Sequence, residues 1–259
     1  KINFNDGACY LSLDKGNRHL LGVSYGNGRL NVYPLDEEGI PGKAVTTIDE
    51  GKKQAHCILL PPDGKNVYIP YVKENLAILQ YAYDGKTGMV KPLEPKDAKP
   101  PLGSGPRHMA YHPTLPMVYF SNEQGIGLSS YRREANGQLK VEQDISILPP
   151  GMSKMGLSAS DLLITPDGKF LFAGLRGHRQ DFDRISGYRV LEDGKAEFLG
   201  LTEADQIPWG LTLSPDGKFL LVTATNGASL TAYRISKDGN LKRVATLAWD
   251  PRMSDLVTR

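Results

Sequence analysis

The chain has little of several things that usually betray a function. Two cysteines, Cys9 and Cys57, in 259 residues cannot build a disulfide framework, and neither has the spacing of a CxxC or Cys/His metal site, so zinc is not expected. Charge of one sign is not in excess: 31 Lys and Arg face 29 Asp and Glu, interspersed along the chain. A nucleic-acid surface or a membrane-binding basic face is therefore not expected. No run approaches the 18 or so apolar residues of a membrane span. HExxH, GxSxG, Walker and GxGxxG patterns are also missing, which argues against a zinc peptidase, a serine-hydrolase elbow or a nucleotide cofactor. No cofactor or metal is expected.

What the chain has is turns and a repeat. Gly 28 and Pro 18, with aromatics at 8%, favour a turn-rich β protein. "PPDGKNVYIPYV" from Pro61, "TPDGKFLFAGLR" from Thr165 and "SPDGKFLLVTAT" from Ser214 are one element written three times, and "SLDKGNRHLLGVSY" from Ser12 and "HPTLPMVYFSNE" from His112 fit the same frame. Anchored on Leu13, Pro62, Pro113, Pro166 and Pro215, the period is about fifty residues. In each copy an apolar run enters a tight turn, a second leaves it, and a third ends in Tyr33, Tyr81, Tyr131, Tyr188 or Tyr233. A further turn then leads to a more polar fourth run. Four antiparallel strands per repeat predict an all-β β-propeller. A β-sandwich has no such fixed period. Five full blades are expected in one domain over 1–259, at about 7–52, 53–103, 104–155, 156–205 and 206–249, with 250–259 as a closing strand. A propeller closes by completing one blade from both chain ends, so about 80 further residues, close to two repeats, are expected before Lys1.

The repeat frame sorts the ionisable residues. Six residues before each anchor, at the start of the innermost strand, stand Gly7, His56, Arg107, Ser160 and Trp209; ten after it, at the end of the next strand, stand Val23, Val72, Glu123, Arg176 and Thr225. These columns share one end of a hairpin, so His56, Arg107, Glu123 and Arg176 are expected together on one rim of the central channel, although a repeat scaffold needs no charge there. Each also has a plain structural reading: a hydrogen-bonded strand-end histidine, an Arg107–Glu123 clamp, a solvated Arg176. Strand alternation turns His108 to the opposite face, to pack on the next blade, and places His112 at a solvent-facing turn. His178 is expected at the channel mouth.

"GVSYGNGRLNVY", "QAHCILLPPDGKNVYIPY", "GSGPRHMAYHP" with "VYFSNE", "LLITPDGKFLFAGLRGH" and "PWGLTLSPDGKFLLVTAT" together resemble the propeller lactonases, the family of the seven-bladed bacterial 6-phosphogluconolactonase and the fungal carboxy-muconate lactonizing enzyme. The resemblance implies a seven-bladed fold and a site on His56, Arg107, Glu123 and Arg176, the same four residues. It implies hydrolysis of a small anionic sugar-acid lactone without metal. Arg107 and Arg176 would hold the anion and the developing oxyanion, either Glu123 or His56 would be the general base, and His178 and Trp209 would contact substrate. Trp209 departs from the family, whose members often carry Arg there, which leaves the anionic group bound at that position open. A cycloisomerase using the same four residues and a non-catalytic binding propeller are the alternatives. A cytoplasmic setting is expected from the two cysteines, with a periplasmic or secreted one as the alternative.

Overall fold

The Pro-Asp-Gly-Lys turns explain the hairpins. In a computed structural model of the chain, describing residues 7–178, 181–250, 255, 256 and 258, Asp63, Asp167 and Asp216 each accept the backbone N–H two residues on through Oδ1. Gly64, Gly168 and Gly217 close the turns at φ +67°, +74° and +67°. An L side chain is strained there, so glycine ends the reversal.

Among the described residues, nineteen strands form five antiparallel sheets. The first holds β1 (Ala8–Leu13), β2 (His19–Ser24), β3 (Leu30–Pro34) and β4 (Thr46–Ile48); the second β5 (Asn66–Tyr71), β6 (Ala77–Asp84) and β7 (Met89–Asp97). The third holds β8 (Pro106–Tyr111), β9 (Met117–Asn122), β10 (Gly127–Arg133) and β11 (Leu139–Ser146). The fourth runs through β12 (Leu157–Ile164), β13 (Phe170–Gly177), β14 (Arg184–Val190) and β15 (Ala196–Glu203), and the fifth through β16 (Pro208–Leu213), β17 (Phe219–Ala224), β18 (Ser229–Ile235) and β19 (Leu241–Ala248). Each sheet runs in sequence order, as a propeller blade does. The fourth strands are the exposed ones, β19 almost throughout.

The second sheet differs from the expected four full strands. Its innermost segment pairs only through isolated bridges, Ala55 to Tyr71 and Leu59 to Tyr68. Pro70 opposite it has no N–H to give to a ladder. The expected closing strand at 250–259 lies mostly outside the described residues; Thr258 donates its hydroxyl to the Leu213 carbonyl.

The core lies between sheets. Leu21, Val23 and Val32 of the first pack on Ile69, Tyr71 and Leu79 of the second. Tyr68 and Ile78 then meet Met109, Val118 and Phe120; Tyr119 and Leu128 meet Leu171 and Tyr188; Phe172 and Ile185 meet Leu220 and Val222. In the second to fifth blades a glycine in the β-turn before the fourth strand seats on the preceding blade: a Cβ on Gly88, Gly137, Gly194 or Gly239 would come within 2.3–2.9 Å of His19, Asn66, Met117 or Phe170, the first residues of the second strands. Tyr68 and Tyr119 donate their hydroxyls to the carbonyls of Gly137 and Gly194. The period of the sequence is thus a period of docking contacts.

Candidate active site

The inner strands all slip register at the same place. The pairing shifts between Ala8 and Tyr10, Ala55 and Leu59, Pro106 and Met109, Ala159 and Leu162, and Pro208 and Leu211. A bulge puts extra residues of one strand against its partner and re-aims their side chains. The bulged residues Cys9, His56, Arg107, His108, Asp161 and Trp209 all line one cavity of about 670 Å³. Tyr25, Lys73, Glu123, Arg176 and His178, at the ends of the adjacent strands, line it too, with Asp255. All five sheets contribute.

All six residues expected at the site are thus brought to one cavity. Arg107 is buried, 1% exposed, with Nε 3.3 Å from Glu123 Oε2. Arg176, also buried, reaches Glu123 Oε1 at 3.6 Å with Nη2 and donates from Nη2 to the Ala159 carbonyl at 2.9 Å. Two guanidiniums share one carboxylate, and the group keeps one unit of positive charge. Burial works against the charge on both, and the two arginines repel one another. Both stay charged because guanidinium is so weak an acid. Arg107 Nε and Nη1 and Arg176 Nε are buried without a hydrogen-bond acceptor among the described residues. Trp209 stacks on the pair, its ring 4.5 Å from the Arg176 guanidinium carbon and 5.6 Å from that of Arg107. Faces are thereby covered by an aromatic plane, which leaves the N–H edges for a planar anion.

The histidines differ in their partners. His56 packs edge-on to Tyr25 and His108, and its Nδ1 is buried without a partner. Burial, then the nearby Arg107 and His108, holds it far below the ordinary histidine range, so it is neutral. His178 Nε2 lies 2.8 Å from Ser158 Oγ, and burial and Arg176 push its pKa down. Lys73, φ +56°, stands over the Tyr25 ring at 5.6 Å. The Cys9 thiol donates to the Val23 and Ala55 carbonyls and burial pushes it up to about 11, so it is no nucleophile at neutral pH. Among the described residues, no group of three His, Cys, Asp or Glu is placed to hold a metal ion.

Two expectations are overturned. His108 meets the next blade as expected, its Nδ1 2.6 Å from Asp161 Oδ1, but it does not turn away from Arg107: the bulge between Pro106 and Met109 breaks strand alternation, and His108 lines the cavity beside Arg107. His112 is not solvent-facing but buried, its Nδ1 accepting the Thr114 and Leu115 N–H groups, so it caps its own turn. Asp161, Tyr25 and Lys73 also line the cavity and are not among the residues expected there. Asp161 carried a signal, an acid in the apolar strand "LSASDLLI".

The sheets of this propeller converge on a cavity in which two buried arginines share one carboxylate. The family model described as "Lactonase, 7-bladed beta-propeller" matches residues 4–252, and the chain belongs to that family. It is 30% identical to the 6-phosphogluconolactonase of Pectobacterium carotovorum over 243 residues, 92% of this chain and 70% of that protein. With the 6-phosphogluconolactonase of Klebsiella pneumoniae it shares 28% identity, over 90% of this chain and 68% of the relative. The periplasmic gluconolactonase of Pseudomonas aeruginosa superposes with a TM-score of 0.83 at 22% identity, over 94% of this chain and 71% of that one. Among the described residues no helix is long and apolar enough to cross a membrane.

Proposed function

We propose that the protein hydrolyses the ring ester of a small sugar-acid lactone, as its relatives named 6-phosphogluconolactonase do by name. The observation that carries this is the Arg107–Glu123–Arg176 group under Trp209. Its guanidinium N–H groups converge where a lactone carbonyl oxygen would gain negative charge, and they lie in a buried site where such charge is stabilised most. Glu123 holds the two like charges together in the ligand-free site. Neutral His56, on the same wall, gives a hydrogen bond to the ring oxygen as its bond to the carbonyl carbon breaks. His178 and Trp209 flank the bound sugar acid. The free thiols Cys9 and Cys57 fit a reducing compartment, and we place the protein in the cytoplasm.

Turnover of 6-phosphogluconolactone and δ-gluconolactone, above their spontaneous hydrolysis, tests the reading. Lactone turnover with Arg107→Ala reduced at least 100-fold is the expected result. Activity on 3-carboxymuconate alone would replace hydrolysis by cyclisation, and turnover of none of the three would leave a binding protein.

A further inference from the structure

The family resemblance offers Glu123 or His56 as the group that activates water. Glu123 is ion-paired with two guanidiniums, although its Oε2 accepts no hydrogen bond among the described residues, and His56 has no acidic partner among them. The remaining pair in the cavity is His108 and Asp161. They occupy equivalent positions, five residues before Pro113 and Pro166, in the bulges of neighbouring blades, so the repeat itself sets them side by side. His108 Nδ1 lies 2.6 Å from Asp161 Oδ1. Asp161 is fixed in turn: the Leu162 N–H bonds Oδ1 and the Leu211 N–H of the next blade bonds Oδ2. Burial opposes the Asp161 charge, but His108 and these two N–H groups outweigh it and hold the pKa down. Its ionised carboxylate therefore fixes the His108 tautomer with the proton on Nδ1. Tyr10 and His56 pack their rings against the imidazole, each with centroids 5.2 Å away. Among the described residues Nε2 makes no hydrogen bond.

We propose that His108 is the general base of this site, with Asp161 as its positioning residue, and that Nε2 takes the proton of the attacking water. This rests on the lactonase reading. Water oxygen bonds to the lactone carbonyl carbon while its proton passes to Nε2. The bond from that carbon to the ring oxygen then breaks, and the imidazolium returns the proton to the leaving oxygen. The product is the open hydroxy acid and the imidazole is neutral again, so one lactone and one water are consumed. The charged and titratable groups facing His108 are Asp161 from β12, Arg107 beside it on β8, His56 from the second blade, Tyr10 from β1, and Asp255. Burial and then Arg107 disfavour the imidazolium and Asp161 supports it; the balance lowers the pKa, so the imidazole is neutral and Nε2 is unprotonated at neutral pH.

The test is steady-state hydrolysis of 6-phosphogluconolactone and δ-gluconolactone by the wild type, His108→Gln, His108→Gly and Asp161→Asn. His108→Gln should lower kcat about 100-fold or more with KM within threefold. Added imidazole should restore part of the kcat of His108→Gly. Asp161→Asn should lower kcat and move the acidic limb of its pH profile to lower pH, since the carboxylate no longer supports the imidazolium; a merely structural residue would leave that limb in place. ¹⁵N NMR of the wild-type imidazole should show the Nδ1-protonated tautomer. If the wild type hydrolyses neither lactone, the lactonase reading falls and this role with it. If the wild type is active but His108→Gln keeps more than a tenth of its kcat, or Nε2 proves to carry the proton, only the role of His108 is overturned.

Discussion

Trp209 lies over Arg176, ring centroid to guanidinium carbon 4.5 Å, and the same ring reaches Arg107 at 5.6 Å. One indole thus holds two cations of one site in plane. A cation–π contact of this kind contributes about 0.5–2 kcal/mol, and its loss frees the Arg176 side chain to rotate. Trp209→Ala should therefore lower kcat/KM for a lactone about 2- to 30-fold, mainly through KM. Initial-rate kinetics on a concentration series checks it, and an unchanged KM would mean that the indole plays no part in holding the anion site.

Glu123→Gln leaves two buried guanidiniums facing one another without a counter-charge. Removing one partner of a buried ion pair typically costs about 3–5 kcal/mol, and here a repulsion is uncovered as well. The variant should melt well below the wild type. Inorganic phosphate in the millimolar range should raise its melting temperature more than that of the wild type, because an external anion then takes the place of the carboxylate. Thermal scans with and without phosphate, at matched ionic strength, give the comparison.

Much of this site is legible in the sequence. The PDGK turns fixed the frame, and counting from them isolated His56, Arg107, Glu123 and Arg176, which share the cavity. His108 and Asp161 escaped because alternation was carried through a strand that is bulged. The bulge is a backbone event that recurs at the same position of the inner strands β1, β8, β12 and β16, and no residue type at Pro106 to Met109 demands it. His112 was misplaced for another reason. It stands in the column of Thr165 and Ser214, whose hydroxyls bond the backbone N–H of Phe170 and Phe219 across their turns. A column of caps was readable there, but an imidazole does not look like a hydroxyl.

The depressed histidines make stability depend on pH. His56 is neutral in the folded chain, whereas it titrates near its ordinary value of 6.5 once unfolded. The unfolded state therefore binds more protons below that pH, so the stabilisation is complete above about pH 6.5 and is lost as pH falls. One such histidine contributes at most about 1.4 kcal/mol per pH unit. Denaturant midpoints taken from pH 7.5 down to pH 5 should fall for the wild type and fall less steeply for His56→Gln. Parallel slopes would show that His56 is charged in the folded protein.

Inter-blade docking can be probed at glycines that differ only in surroundings. Gly39 and Gly137 both sit at positive φ, +78° and +86°, in the turn before a fourth strand. A Cβ on Gly39 meets nothing within 4 Å, whereas on Gly137 it would come within 2.3 Å of Asn66 Nδ2, the buried amide of the preceding blade. Gly39→Ala carries the left-handed backbone cost alone, about 1 kcal/mol. Gly137→Ala adds a clash with the buried Asn66 amide, relieved by moving that side chain or by a shift between blades, about 2–4 kcal/mol in total. Melting temperatures should drop by about 2–4 °C for the first and roughly 6–12 °C for the second. Equal drops would mean that the blades slide freely past the Asn66 contact, and that their docking rests on the apolar clusters alone.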